Sequence, residues 1–207
     1  MKKHLLFFLS VFLLFCSSSF AQVFSKKDKL FGASAGISFS NSSNVPAGLN
    51  SWRASNIGLT PSIAWAIKNN VVVGMKTGAY YSRTKYTYST EKNSQTGWQV
   101  VQAIFIRKYK SLVKNFGVSF THELNGNYYK TIERRGPNIS KSSNWGAGYS
   151  FIPAAFYKFS DRFIGEASFG EGFLRYSKGN TKGWAAGANF LTSLNIGVQY
   201  IIPGKKG

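Results

Sequence analysis

The stretch Trp184-Ala-Ala-Gly-Ala-Asn-Phe-Leu-Thr-Ser-Leu-Asn-Ile-Gly-Val-Gln-Tyr200 changes side-chain character at every second position. Trp184, Ala186, Ala188, Phe190, Leu194, Ile196, Val198 and Tyr200 share one parity. Gly187, Asn189, Ser193, Asn195, Gly197 and Gln199 share the other. Successive side chains of a strand point to opposite faces, so this is a strand with one apolar face and one small, polar face.

The same period recurs towards the N-terminus. Phe163, Ala167, Phe169 and Phe173 oppose Glu166, Ser168, Gly170 and Gly172. Tyr149, Phe151, Ala155 and Tyr157 share a parity, and Phe116, Val118, Phe120 and Leu124 oppose Gly117, Ser119, Thr121 and Glu123. From Trp98 to Tyr109 the signal blurs, because Ile104, Phe105 and Ile106 are contiguous. Val71, Val73, Met75, Thr77 and Ala79 oppose Val72, Gly74, Lys76 and Gly78. Ile57, Leu59, Ile63, Trp65 and Ile67 form a further apolar face, as do Phe31, Ala33, Ala35, Ile37 and Phe39. No segment after residue 21 sustains helical periodicity. The chain reads as all-β, with eight strands.

Its beginning assigns a compartment. Lys2 and Lys3 precede a predominantly apolar run from Leu5 to Phe15, then small polar residues and Ser19-Phe20-Ala21. This is the pattern of a secretory signal peptide cleaved after Ala21, and the run is too short for the roughly 20 residues of a spanning helix. Cys16, the only cysteine, leaves with it. The mature chain then has neither disulfide nor thiolate metal site. It carries 24 basic against 7 acidic residues, a net charge of +17. Nucleic acid is the usual partner of such a balance, but an exported chain does not meet it. The anionic partners left are outer-membrane lipids and the phosphates of lipopolysaccharide.

Connections differ in length. Polar linkers fall at about 41–54, 84–96, 126–144 and 177–183, and tight turns at 68–70, 111–115 and 160–162. Short periplasmic turns and long outer loops are the asymmetry of an outer-membrane barrel. Aromatic residues sit at the strand ends: Trp52, Trp98, Trp145 and Trp184 beside the long linkers, and Trp65, Tyr109, Tyr157, Phe163 and Tyr200 beside the short turns. Two girdles at two membrane interfaces are expected. The pattern predicts a closed, eight-stranded, antiparallel, up-and-down transmembrane β-barrel over residues 30–203. A short periplasmic tail (22–29) precedes it and a C-terminal tail (204–207) follows. A soluble periplasmic β-protein is the fold-level rival. Pro61 and Pro153, related by a constant offset of 92 in a weak internal echo, remove ladder donors and predict a bulge or kink near each.

The segments Leu59-Thr-Pro-Ser-Ile-Ala-Trp-Ala-Ile-Lys-Asn-Asn-Val-Val-Val-Gly74 and Ile152-Pro-Ala-Ala-Phe-Tyr-Lys-Phe-Ser-Asp-Arg-Phe-Ile-Gly-Glu-Ala167 carry a proline strand, a short Asn or Asp turn and a glycine strand. Together with Phe105-Ile-Arg-Lys-Tyr109 they resemble the outer-membrane β-barrel domain family of small porin-like Gram-negative proteins, the OmpA-, OmpX- and OmpW-like barrels. The resemblance implies the fold, the outer membrane and insertion by the barrel-assembly machinery. It implies no activity. The chain departs from the family by ending in Pro203-Gly-Lys-Lys-Gly207, which leaves Tyr200 as the last aromatic of the final strand.

Parity sends Lys76, Glu123 and Glu166 into the lumen, with Arg107 beside them. An eight-stranded barrel has room inside for little more than side chains, so these four are expected to form an ion-pair network that closes it. The competing use is a narrow path for small solutes. Catalysis has little basis. His122 is the only mature histidine, its parity puts it on the lipid side near the outer interface, and Ser119 and Glu123 face the other way. A lipid A-modifying enzyme is therefore ranked last. No cofactor or metal site is indicated. Lys130, Arg134, Arg135 and Lys141 form a basic rim that faces lipopolysaccharide, surrounded by Arg53, Arg83, Lys85, Lys92, Arg175, Lys178 and Lys182. Expected is a monomeric, non-enzymatic barrel with a structural or surface-interaction role.

Overall fold

The structure is a computed structural model that describes residues 22–42, 49–88, 92–179 and 182–204. The leader expected over 1–21 and the tail lysines Lys205 and Lys206 lie outside the described residues. So do the side chains of Trp52 and Lys92.

Eight strands follow in order: β1 (Lys29–Ser42), β2 (Leu49–Lys68), β3 (Val71–Tyr88), β4 (Lys92–Val113), β5 (Phe116–Arg135), β6 (Asn138–Lys158), β7 (Phe163–Lys178) and β8 (Lys182–Ile202). Each pairs antiparallel with its neighbour in sequence, and β8 returns to β1, with Phe31 opposite Tyr200. Closure leaves no free edge, so the backbone polar groups are satisfied inside the sheet. The inner end of the barrel holds residues 22–28, Gly204 and the turns after β2, β4 and β6.

Period two divides the molecule into two surfaces. Phe31, Ile37, Ile57, Leu59, Met75, Ile104, Leu124, Leu174, Ile196 and Val198 point outward and are exposed. Such a continuous apolar exterior suits hydrocarbon and not water. Strand β4 resolves its own ambiguity, with Ile104 and Ile106 outward and Phe105 inward. Both faces are apolar there because the inner end of the lumen is itself a packed core. Leu30, Ala64, Ala66, Val72, Phe105, Tyr109, Phe156, Ile164 and Ile201 fill it, together with Val23 and Phe24.

Inward aromatics find space on glycines of the next strand. Gly58 faces Tyr80, Gly74 faces Phe105, Gly117 faces Phe156 and Gly187 faces Phe173 in direct cross-strand register. A Cβ on Gly117 would meet the Phe156 ring at 2.6 Å, and one on Gly74 the Phe105 ring at the same distance.

Three expectations are corrected. The polar linkers read as long loops are mostly strand: β5 and β6 continue through them to a two-residue turn at Gly136 and Pro137. Beyond the membrane both faces of a strand meet water, so the hydropathy alternation that marks a strand disappears. At Pro61 no bulge forms. The β2–β3 ladder passes from Leu59↔Ala79 to Ser62↔Lys76 in unchanged register, and pairing with β1 is unbroken. At Pro153 the expected irregularity is present, as a register shift against β7 beside Gly170, whose φ is 120°. That extra residue inverts the parity of β7, so Phe173 leaves the outward set and Leu174 replaces it. Strand β8 keeps its alternation but slips against β7, where residues 191–194 lie opposite Phe169.

Candidate functional site

Immediately above the inner core lies a layer of charge. Arg107 on β4 and Glu166 on β7, on opposite walls of the lumen, approach to 2.5 Å between Nη1 and Oε2. Arg107 also donates from Nε to Thr121 Oγ1 at 2.7 Å and from Nη1 to Tyr109 Oη at 3.2 Å. Glu166 further accepts from Ser119 Oγ at 3.3 Å and from Gln199 Nε2, and Tyr109 donates to Gln199 Oε1 at 3.1 Å. Ions removed from water need such saturation, since burying one unpaired costs several kcal/mol. The guanidinium also lies over the rings of Phe105 (5.1 Å) and Tyr109 (6.0 Å). The Phe-x-Arg-x-Tyr strand is thus an inward-facing stack, held at one parity.

Lys76 and Glu123 make a second pair at 2.5 Å, with Asn125 between Glu123 and Ser150. The four lumen residues expected from parity therefore stand as two ion pairs. A third pair, Arg175 with Glu171, lines the same space. Sequence reading assigned Arg175 to the surroundings of the outer rim; the β7 irregularity turns it and Glu171 inward. Together the pairs border a polar cavity of about 500 Å³ whose walls carry Asn56, Asn127, Asn189 and Asn195.

Beneath the core, residues 22–28 do not hang free as a tail. Asn70, at a φ of 62° in the β2–β3 turn, accepts the backbone N–H of Val23 at 2.6 Å and of Phe24 at 3.3 Å on its Oδ1. The Phe24 ring, 1% exposed, packs edge-on against Tyr109 at 4.6 Å, and Tyr109 against Phe156 at 5.3 Å. Asp28 bonds the N–H of Ser25 and of Gly204, tying the two ends of the chain together. In the turn after β6, Lys158 lies 2.9 Å from Asp161, and that hydrogen bond and charge hold the Asp161 carboxyl below the usual carboxylate range.

Outside, two aromatic belts ring the barrel. Tyr81, Trp98, Tyr128, Trp145, Tyr176 and Trp184 form the outer one, with ring contacts between Tyr81 and Trp98 and between Tyr176 and Trp184. Trp65, Phe116, Tyr157, Phe163 and Tyr200 form the inner one. The run from Trp145 to Tyr157 covers about 40 Å of strand at roughly 3.3 Å per residue, which a tilt of about 40° reduces to about 30 Å. That is the thickness of a bilayer's hydrocarbon. Tyr109 was expected in this belt and is not; at 2% exposed it belongs to the lumen core, because the residue beside it on the lipid parity is Lys108. His122 also differs from expectation. It is outward-facing as expected, but it lies midway between the belts, and its Nδ1 is 2.6 Å from Tyr149 Oη. Ser119 and Glu123 are buried on the opposite face.

Above the outer belt the registers define a grid of outward side chains. Ser55, Arg83, Thr96, Ile132 and Lys141 form one row, and Arg53, Lys85, Ser94, Arg134 and Ile139 the next. Lys130 sits beside Trp98 in the belt itself. Among the described residues this outward collar contains no acid. Arg135 is the exception to the expected rim, since it lies on the lumen parity and pairs with Glu133 at 2.7 Å.

A closed antiparallel barrel of eight strands, apolar and belted outside and ion-paired within, has the architecture of an integral outer-membrane β-barrel. No protein-family model and no curated protein sequence matches the chain. Among solved structures the chain is similar to Neisserial surface protein A (16% identity, 84% of this chain and 96% of that one, TM-score 0.39). It is also similar to the outer membrane protein OprG from Pseudomonas aeruginosa (11%, 87% and 98%, TM-score 0.48). A third is Ail, the attachment invasion locus protein of Yersinia pestis (10%, 86% and 99%, TM-score 0.42).

Proposed function

We propose that the protein is a non-enzymatic, non-conducting barrel whose outer collar binds the phosphates of lipopolysaccharide, giving it a structural and surface-interaction role in the outer leaflet. The observation that carries this reading is the opposition of Arg53 and Lys85. They are direct cross-strand partners, both exposed, with Arg83 one row below and no outward acid among the described residues. Like charges directly opposite destabilise a sheet, and an anion held between them removes the penalty. A bidentate arginine fork and the point charge of a lysine ammonium on phosphate are the chemistry that suits such a place. Arg134, Lys141 and Lys130 extend the same surface along β5 and β6.

The test is binding of fluorescent lipopolysaccharide to the refolded barrel, compared with its dephosphorylated form. Arg53→Glu with Lys85→Glu is expected to weaken binding of the phosphorylated form at least tenfold and to leave the dephosphorylated form unaffected. Equal binding of both forms by the unaltered protein would overturn the reading.

A second reading, a narrow porin for small solutes, is favoured by one observation, the polar cavity above the Arg107–Glu166 layer. It requires that layer and the Phe24–Tyr109–Phe156 stack to part.

A further inference from the structure

We infer that the outer face of β3 to β6 is a contact surface within the bilayer for a second copy of this chain, centred on His122 and Tyr149. Between the belts, the outward residues of β1, β2 and β7 and those of β8 from Leu194 to Ile202 are apolar: Phe31, Ile37, Leu59, Ile63, Ala167, Ile196 and their neighbours. Among the described residues, the outward hydrogen-bonding side chains within that band are gathered on the other side, as Thr77 on β3, Gln102 on β4, His122 on β5 and Tyr149 on β6. A uniform lipid environment gives no reason for this segregation.

The depth of the pair excludes lipid carbonyls as its partners. His122 is midway along β5 between Phe116, opposite Tyr157, and Tyr128, opposite Trp145. It is therefore about 15 Å from either belt, inside hydrocarbon that offers no donor or acceptor. Above it, Thr77 donates to Gln102 Oε1 at 2.9 Å, which leaves the Gln102 amide nitrogen without a partner among the described residues.

The choice of a second copy follows from counting protons. A neutral histidine and a tyrosine carry two donors and two acceptors between them, and the bond of 2.6 Å uses one of each. If the phenol donates to Nδ1, an Nε2–H donor and the phenol oxygen remain. In the other tautomer, the phenol O–H and Nε2 remain. Either remainder is one donor and one acceptor, which a two-fold axis along the membrane normal pairs with the same remainder on a second barrel. An isologous contact of this kind needs the patch to complement itself, and this one does.

The surroundings permit approach. Phe120 and Phe151 stack below the pair (6.0 Å, 8° between planes), and the Phe151 ring lies 5.2 Å from that of His122, a flat and rigid floor. Above it, Gly126 is directly opposite Ala147, and a Cβ on Gly126 would meet nothing nearer than Gly146 O at 3.9 Å. Four strands at about 4.8 Å spacing and a hydrocarbon span of about 30 Å give a face of roughly 600 Å² in projection. A second convex barrel covers part of that face, less than the roughly 800 Å² per partner of a standard interface, so the polar pair at its centre carries the specificity. The inference departs from the monomer expected of the sequence.

Cys16, the only cysteine, lies in the leader expected to be cleaved after Ala21, which makes the test direct. Gly126→Cys on this face and Ala35→Cys on the β1 face are each introduced into the full-length chain and oxidised in native membranes. Gly126→Cys is expected to give a homodimer band, and Ala35→Cys at least tenfold less. Adding His122→Phe and Tyr149→Phe to Gly126→Cys is expected to reduce the band at least tenfold while heat-modifiable migration shows that the barrel still folds; His122→Leu replaces His122→Phe should that variant not fold. Equal bands from the two cysteines, no band from either, an adduct of different mass, or a homodimer that survives loss of both polar groups would each overturn the inference.

Discussion

Glu166 on β7 holds Arg107 on β4 at 2.5 Å, a bridge between walls that are not neighbours in the sheet. It crosses the lumen where the packed inner core ends and the polar cavity begins. Both partners are largely withdrawn from water, so loss of one alone strands the other. Arg107→Met and Glu166→Met are each expected to cost about 3 kcal/mol, and the two together to cost less than either. Urea titration of the barrel in lipid vesicles gives the three values; additive losses would refute the pairing.

Asn70 is expected to hold residues 22–28 in the inner mouth. Asn70→Ala removes the acceptor of two backbone N–H groups and places a side chain that disfavours the left-handed region at a φ of 62°. Asn70→Gly removes only the acceptor. Hydrogen exchange at Val23 and Phe24 should speed up in both variants, and unfolding stability should fall further in the alanine variant, by about 1 kcal/mol. Unchanged exchange would mean that the segment is held by Phe24 alone.

Gly117 and Gly74 are expected to tolerate nothing larger. Alanine at Gly117 meets the Phe156 ring at 2.6 Å as well as backbone, and it should destabilise the barrel by about 1–3 kcal/mol. Pairing Gly117→Ala with Phe156→Leu should recover part of that loss. No recovery would place the clash with the backbone of Lys110 instead.

The collar predicts a change of sign with lipid. In zwitterionic vesicles at low salt, Lys85→Ala relieves the repulsion with Arg53 and should raise stability by about 0.2–1 kcal/mol. In vesicles containing lipopolysaccharide the same variant should be less stable than the parent. Stabilisation in both lipids would separate the collar from phosphate binding.

How much of this was legible in the sequence depends on what each strand borders. Where one face meets lipid and the other a polar lumen, as at Leu194 to Val198, period two is clean and the assignment is direct. At the inner end the lumen is apolar as well, so Ile104, Phe105 and Ile106 show no alternation, and Tyr109 reads as a belt residue because it stands beside a turn. At the outer end both faces are wet, and the strand from Thr131 to Arg135 reads as loop. Lys76, Glu123 and Glu166 were placed by parity alone. Glu171 and Arg175 were not, because the irregularity opposite Pro153 reverses the parity beyond Gly170. The proline and the glycine were the available signals, but neither gives the direction of the shift. The partnership of His122 with Tyr149 joins diagonal positions on β5 and β6, a relationship fixed by register and invisible without it.

The closed lumen proposed above rests on the Arg107–Glu166 layer above the Phe24, Tyr109 and Phe156 core. Single-channel recording of the purified full-length barrel in a planar bilayer tests it most directly. A closed lumen gives insertion, verified by heat-modifiable migration, without stepwise current; a sizeable, stable conductance from the unaltered protein would contradict it.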